Sequence, residues 1–339
     1  MRNFEPWYDK NYKKLLIAPI VVLTISLIFL AFFYSSTGDI IHKDVSLTGG
    51  TTITISTEIS QEDLESFVSK TISDFEIKKI SDNSGKQTEL IITVGEDNSE
   101  SLEILLEEFL GYELDSENSS RETTSASLSS DFYKQLIVAI ILAFFWMAAV
   151  VYIIFKKGGK TKAKIIFVNI LFGFFMGNYF LSINKFLSGA IFLTFATYLI
   201  SNYIKNSVPA FAVMFSAFAD IVMTLAVVDL IGMKISTAGI VAFLMLIGYS
   251  VDTDILLTTR LLKKKGKRIN EALFDAFKTG TTMTITSIIA ITFALISIYS
   301  FSSVLNQIFT ILLIGLGFDL FNTWITNASI IKWYVEERQ

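Results

Sequence analysis

Two aspartates, Asp252 and Asp254, lie inside the apolar stretch "GYSVDTDILLTTR" that runs from Gly248 to Arg260. An ionised side chain at the centre of a bilayer costs about 2.5 to 3.5 kcal/mol even on a lenient insertion scale, so such groups face a protein interior or a water-filled cavity. A carboxyl shielded from lipid by neighbouring helices can bind and release a proton at physiological pH. Asp220, in "SAFADIV", and Asp319, in "GFDLFNTWITN", occupy similar settings. With Arg260, about two turns beyond Asp252, these four acids are the candidate ion-coupling residues. The chemistry they suggest is ion exchange, not bond breaking. No catalytic residue, cofactor or metal is expected. Cys is absent, which excludes disulfides and thiolate chemistry. The single His, His42, cannot by itself build a metal site or a Ser-His triad.

Helical spacing gives these acids directions. Gly248 and Asp252 are i, i+4, so a neighbouring backbone is expected to approach the face carrying the first carboxylate. Asp254 lies roughly 200° around the same helix and addresses a different neighbour. Asn322, Thr323, Thr326 and Asn327 continue the face of Asp319 as a polar stripe. The plainer reading of all these groups is a set of packing hydrogen bonds between helices, and for Arg260, snorkelling.

The elements that must hold these residues are membrane spans. Of 339 residues, 52% are hydrophobic and 18% charged, with a mean hydropathy of +0.55, as in an integral membrane protein. The formal net charge of −4 hides an asymmetry: Gly38 to Asp131 carries 21 acidic and 6 basic residues, and the remainder 11 and 22. The acidic block reads as one water-facing domain, and its sign argues against nucleic acid as a partner. Lys10, Lys13 and Lys14 precede the first span, which places the N-terminus in the cytoplasm and the acidic domain outside. The first span has no small-residue cleavage site after it and reads as retained.

The external domain follows a β-α-β-β-α-β pattern, a two-layer α+β sandwich of ferredoxin-like order. Its signals are the alternating "TTITIST", a helix opening at Ser60, "FEIKKI" and "TELIITV" joined by a turn at "DNSGK", a helix from Ser99 to Leu110, and a last strand near Arg121 to Ser125. About eight spans are expected. The divisions are the N-terminus and first span (1–36), the external domain (37–131), a second span (132–157), a tight hairpin (158–206), and four last spans (207–339) that include a cytoplasmic interfacial helix near 262–278. In the hairpin, Gly173 and Gly177 of "GFFMG" permit close helix packing. The C-terminus, with Lys332 and Arg338, falls inside.

At this point the motifs converge on a family. "GYSVDTDILLTTR" resembles the signature span of SecF, the smaller subunit of the SecDF protein-export accessory complex, in its archaeal form. "SLTGGT", with Thr48, Gly49 and Gly50, is similar to the motif that opens the family's external domain, and "VPAFAVMFSAFADIV" resembles its next signature, with Asp220 in the aspartate's place. The resemblance implies a six-helix core, here with an extra hairpin, in the cell membrane. It also implies an accessory subunit of protein export whose partners are a SecD-like subunit, the Sec translocon channel, an unfolded secretory polypeptide and membrane lipid. Ion coupling at Asp220 and Arg260 is implied in the same way. Bacterial relatives carry Asn-Asp-Ser/Thr where this chain has Asp252-Thr253-Asp254, and the hairpin has no counterpart in the six-span plan. The alternative function is a proton-coupled exporter of small molecules or lipids. An intramembrane aspartyl protease is disfavoured, because no Tyr-Asp and Gly-x-Gly-Asp pairing occurs.

Overall fold

The structure is a computed structural model that describes residues 5–72, 75–81, 86–156, 158–263, 268–298 and 303–338. A short polar helix, α1 (Glu5–Leu15), leads into the apolar α2 (Ile17–Thr37) and then, through α3 (Val45–Thr48), into the α+β domain. There the chain runs β1 (Gly50–Ser56), α4 (Gln61–Val68), β2 (Phe75–Ser81), β3 (Gln87–Gly95), α5 (Ser99–Leu110) and β4 (Ser119–Thr124). The sheet order is β2-β3-β1-β4 with every pair antiparallel. Alternation puts Ile53, Ile55, Leu90, Ile92 and Val94 on one face, where Leu64, Val68, Leu102 and Leu106 of the two helices cover them. Ser60 caps α4 by accepting the Asp63 N–H at 3.2 Å. The turn expected at "DNSGK" falls mainly on 82–85, outside the described residues.

The "TGG" motif joins this domain to the helices by close backbone approach. Gly49 has φ +89°, and a Cβ there would lie 2.4 Å from the backbone of Ala126; a Cβ on Gly50 would lie 2.2 Å from the Val94 carbonyl oxygen. Only glycine lets β1 begin between the end of β3 and the start of the next helix. Gly50→Ala should therefore cost about 1–3 kcal/mol through overpacking. The expected result is a lower melting temperature and protease cleavage within 50–125; unchanged proteolysis would contradict this packing account. Neighbouring backbone joins the other side: Ile235 N–H donates to the His42 carbonyl at 2.6 Å, and Asp44 N–H to the Ile235 carbonyl at 2.9 Å.

The remaining chain is helical: α6 (Ala126–Phe155), α7 (Gly159–Asn178), α8 (Lys185–Asn206), α9 (Val208–Leu230), α10 (Thr237–Leu262), α11 (Ile269–Ile298) and α12 (Ser303–Asn322). A five-residue π-helical turn, Thr323–Asn327, connects α12 to α13 (Ala328–Glu336). Seven helices among the described residues are long and apolar enough to cross a membrane. The expected eighth, α7, is present as a 20-residue helix whose Lys160, Lys162 and Lys164 lower its hydropathy. With α8 it forms the expected hairpin, sealed against α6 by Phe145, Phe172, Phe175, Phe192 and Phe195.

Three packing expectations need correction. The interfacial helix near 262–278 is not a separate element: from Ile269 it continues unbroken to Ile298, and residues 264–267 of that segment lie outside the described residues. No proline interrupts the run, and Thr279, Thr282 and Thr286 return their hydroxyls to carbonyls one turn back, at 2.7–3.0 Å. Among the described residues, Gly177 and Gly248 meet nothing within 4 Å of where a Cβ would stand, and Gly173 has ordinary contact with Trp146 and Leu142. The tight approaches occur at Gly239, Gly280 and Gly315, against Gln307, Trp324 and Leu246.

The last helix is tied to the first. Lys332 is buried on α13, where its ammonium pairs with Asp9 and donates to Asn270 at 2.8 Å, with the rings of Tyr8 and Tyr12 at 4.6 and 4.9 Å. Tyr12 donates to Glu336 at 2.5 Å. These contacts lock α1 across the ends of α11 and α13.

Candidate functional site

Small residues make room for the first acid. Ala212, Ser216, Ala217 and Ala219 let α9 run close to its neighbours, and Asp220 is fully buried among α9, α10 and α12. Ser250 Oγ of α10 donates to Asp220 Oδ2 at 2.5 Å, and Asn322 Nδ2 donates to Oδ1 at 2.7 Å. One turn further along α10, Asp254 is equally buried; Asn327 Nδ2 donates to its Oδ1 at 2.8 Å. Asp319, 1% exposed, completes a trio drawn from three helices. All their hydrogen-bond partners are neutral hydroxyls and amides, and none of the three pairs with a described lysine or arginine.

One hydroxyl fixes the protonation logic. Thr323 Oγ1 stands 2.9 Å from Asp254 Oδ1 and 3.1 Å from Asp319 Oδ1. A hydroxyl has one hydrogen to give and lone pairs to receive another. When Thr323 donates to one carboxylate, the other meets the hydroxyl favourably only if it carries a proton and donates it. The second oxygens of both acids, Asp254 Oδ2 and Asp319 Oδ2, have no close hydrogen-bond partner among the described residues, and Ser216 lies on the Asp254 side of the cluster. Three carboxyls buried together without a cation among the described residues cannot all be charged. The arrangement can hold a proton and pass it between α10 and α12 through Thr323.

The π-helical turn supplies this geometry. Its wider backbone path presents Thr323, Thr326 and Asn327 together to the interior, all fully buried or nearly so. Thr326 Oγ1 supports the Asn322 amide oxygen at 3.2 Å, which orients the amide nitrogen toward Asp220.

Of the residues singled out by sequence, Asp220, Asp254 and Asp319 come together. Asp252 does not: it is exposed on the outside of α10, on the same side as the exposed Gly248 and Tyr249. The expected backbone approach to that face is absent among the described residues. Arg260 also points elsewhere, donating to the Asp275 carbonyl of α11 at 2.6 Å. Thr48, Gly49 and Gly50 form the domain junction already described. Ser216 and Ser250 were not among the candidate ion-coupling residues. Their signal was present, since each lies four residues from an acid, at i−4 of Asp220 and of Asp254.

Residues 180–337 match the family described as "Protein export membrane protein SecD/SecF, C-terminal". The chain is 32% identical to the protein-export membrane protein SecF of Methanocaldococcus jannaschii, over 97% of each chain. It is 33% identical to the SecF of Methanolacinia petrolearia, again over 97% of each. Among solved structures it resembles SecDF of Thermus thermophilus with a TM-score of 0.58 at 14% identity, a likeness of fold. That match covers 96% of this chain and 38% of the SecDF chain. The shared length with the archaeal relatives, beside a helical membrane core and a single four-stranded domain, shows that the chain belongs to the SecF family of protein-export membrane proteins.

Proposed function

We propose that this chain is the SecF-type subunit of an export accessory complex. It acts beside the Sec channel with a SecD-like partner to promote passage of unfolded secretory polypeptides across the cell membrane, coupled to an ion gradient. It performs no chemistry on a substrate. In this reading the chain crosses the membrane eight times, α7 included, with both termini cytoplasmic and residues 37–131 outside. The observation that carries the reading is the buried trio Asp220, Asp254 and Asp319, joined across three helices by neutral donors only. A passive scaffold has no need of acids at such desolvation cost.

The misplaced acid supports the partner. An exposed carboxyl within a span is costly against lipid, so the face of Asp252, Gly248 and Tyr249 is read as covered by a helix of the SecD-like subunit that offers a hydrogen-bond donor. The chain has no Cys, so single substitutions give clean crosslinks. Tyr249→Cys is expected to crosslink to the co-expressed partner, while Phe186→Cys at the tip of the hairpin is not. Equal crosslinking at both positions would remove this interface. The wider function is tested by photocrosslinking residues 50–125 to a stalled secretory chain in cells. Labelling of the domain by that chain supports an export role, and labelling only by lipid argues against it.

A further inference from the structure

The helices that carry the acid trio meet one strip of chain at their domain-side ends. That strip, residues 38–44, links α2 to α3 and so to the α+β domain. Its Ile41 belongs to the same apolar cluster as Val228 near the end of α9, Ile235 of the α9–α10 loop and Ile240 of α10. Just beyond the strip, Ser46 Oγ accepts the Thr237 N–H at the start of α10 at 3.2 Å, and Ser236 N–H donates to Gln307 Oε1 of α12 at 3.1 Å.

Beneath the strip lies an acid that the trio does not include. Asp229, in the last turn of α9, is 3% exposed. His42 N–H donates to its Oδ1 at 3.2 Å, and its Oδ2 has no close hydrogen-bond partner among the described residues. Among those residues no lysine or arginine pairs with it. Lys43, the cation on the strip, pairs with Asp39 at 2.7 Å, and Tyr133 of α6 donates to the same carboxylate at 2.6 Å. Against partial burial, Lys43 and Tyr133 hold the Asp39 carboxyl below the usual carboxylate range, so a standing negative charge sits beside Asp229. The other ionisable groups of this corner face elsewhere. The His42 ring packs on Phe33 of α2 at 4.6 Å, Asp44 accepts the Val45 N–H at 2.7 Å, and Lys234 lies 3.9 Å from Glu76 of β2.

We infer that Asp229 is a second proton-binding site, separate from the trio, whose proton latches the strip onto the ends of α9 and α10. Ionised, the carboxylate leaves a sealed oxygen with no donor, beside the charge of Asp39; neutral, it does not. Release of the strip is what lets water reach the ion. Docking and protonation therefore favour each other, so the latch closes as the pH falls and loosens as it rises. The strip leads into the α+β domain, so the latch samples the acidity of the side on which residues 37–131 lie. Calling that side the outside rests on the export reading above; the latch itself does not.

The chain has no Cys, so Ile40→Cys puts a single spin label on the exposed side of the strip. In the full chain in phosphatidylcholine nanodiscs, the immobilised spectral component should dominate at about pH 5 and give way to a mobile one at about pH 8. Asp229→Asn keeps an acceptor for the His42 N–H but cannot ionise, and should hold the label immobile at both values. His42→Gln removes the ring that titrates in the same range, and should leave the pH step in place. A flat response of the labelled chain without further change would overturn the proposal, as would a step that persists in Asp229→Asn or vanishes in His42→Gln. Asp229→Ser repeats the Asn arm should that variant not fold. A missing step leaves the export reading standing, whereas loss of secretion without loss of the step touches that reading alone.

Discussion

Replacing Asp220 by Asn should reduce gradient-dependent secretion to the background of a strain lacking this chain, while membrane insertion stays unchanged and thermal stability does not fall. The substitution keeps the shape of the side chain. The new amide oxygen still accepts from Asn322, and the new amide nitrogen donates to Ser250, whose hydroxyl reverses its role. Only the ability to ionise is lost. Removing a desolvated carboxyl in this way is neutral or mildly stabilising for the fold, because the burial cost goes with it. Asp220→Ala is a different experiment: it leaves the Asn322 and Ser250 donors without acceptors, about 1–3 kcal/mol each, and would lower stability and secretion together. Pulse-chase secretion assays with and without an uncoupler, set beside thermal melts of the purified protein, separate the two variants. Full uncoupler-sensitive secretion from the Asn variant would sink the coupling role of the trio.

A second large effect is expected at the junction of the first and last helices, and it is asymmetric. Lys332 is 1% exposed, whereas its partner Asp9 is 49% exposed. Asp9→Ala strands a buried ammonium whose one remaining carboxylate within reach, Glu336, is more distant at 3.8 Å, beside the Asn270 amide oxygen and two tyrosine rings. Breaking a buried pair from this side costs about 3 kcal/mol. Lys332→Met leaves carboxylates that water can solvate and a side chain that fits an apolar wall, so its cost should be under about 1.5 kcal/mol. Denaturation in mild detergent would show the difference. A larger loss from Lys332→Met than from Asp9→Ala would mean that the burial of Lys332 is not what anchors α1.

The parts legible in the sequence were those governed by local period and composition. Alternation in "TTITIST" suits a one-faced sheet, and the strand order observed is one that the β-α-β-β-α-β pattern permits with antiparallel neighbours. Ser60 marked a helix start because its side chain caps an otherwise unpaired N–H group. The acids were legible for a thermodynamic reason: carboxyls are rare in apolar runs unless something shelters them. What spacing could not settle was which arc of each helix faces protein. Asp252 and Asp254 are indistinguishable by local sequence, and only the packing of α10 against α9 and α12 buries the second and exposes the first. Gly248 and Gly177 illustrate the same limit, since a glycine permits close approach without requiring it. The ion pair between Asp9 and Lys332 joins positions 323 residues apart with no local pattern to announce it.

The turn at Thr323–Asn327 works like the detent of a screw. It holds one residue more than a regular helix would, and each residue of an α-helix corresponds to about 100° of rotation and 1.5 Å of rise. With α13 pinned by Lys332, smoothing that surplus would have to spin the rod from Ser303 to Asn322 by one such step against its neighbours. Asp319 and Asn322 would swing out of register with Asp220, while Asp254 stayed behind. A displacement shorter than an atom's diameter along the axis thus suffices to change which carboxyls face each other, a mechanical conversion that needs no large domain movement within the bilayer.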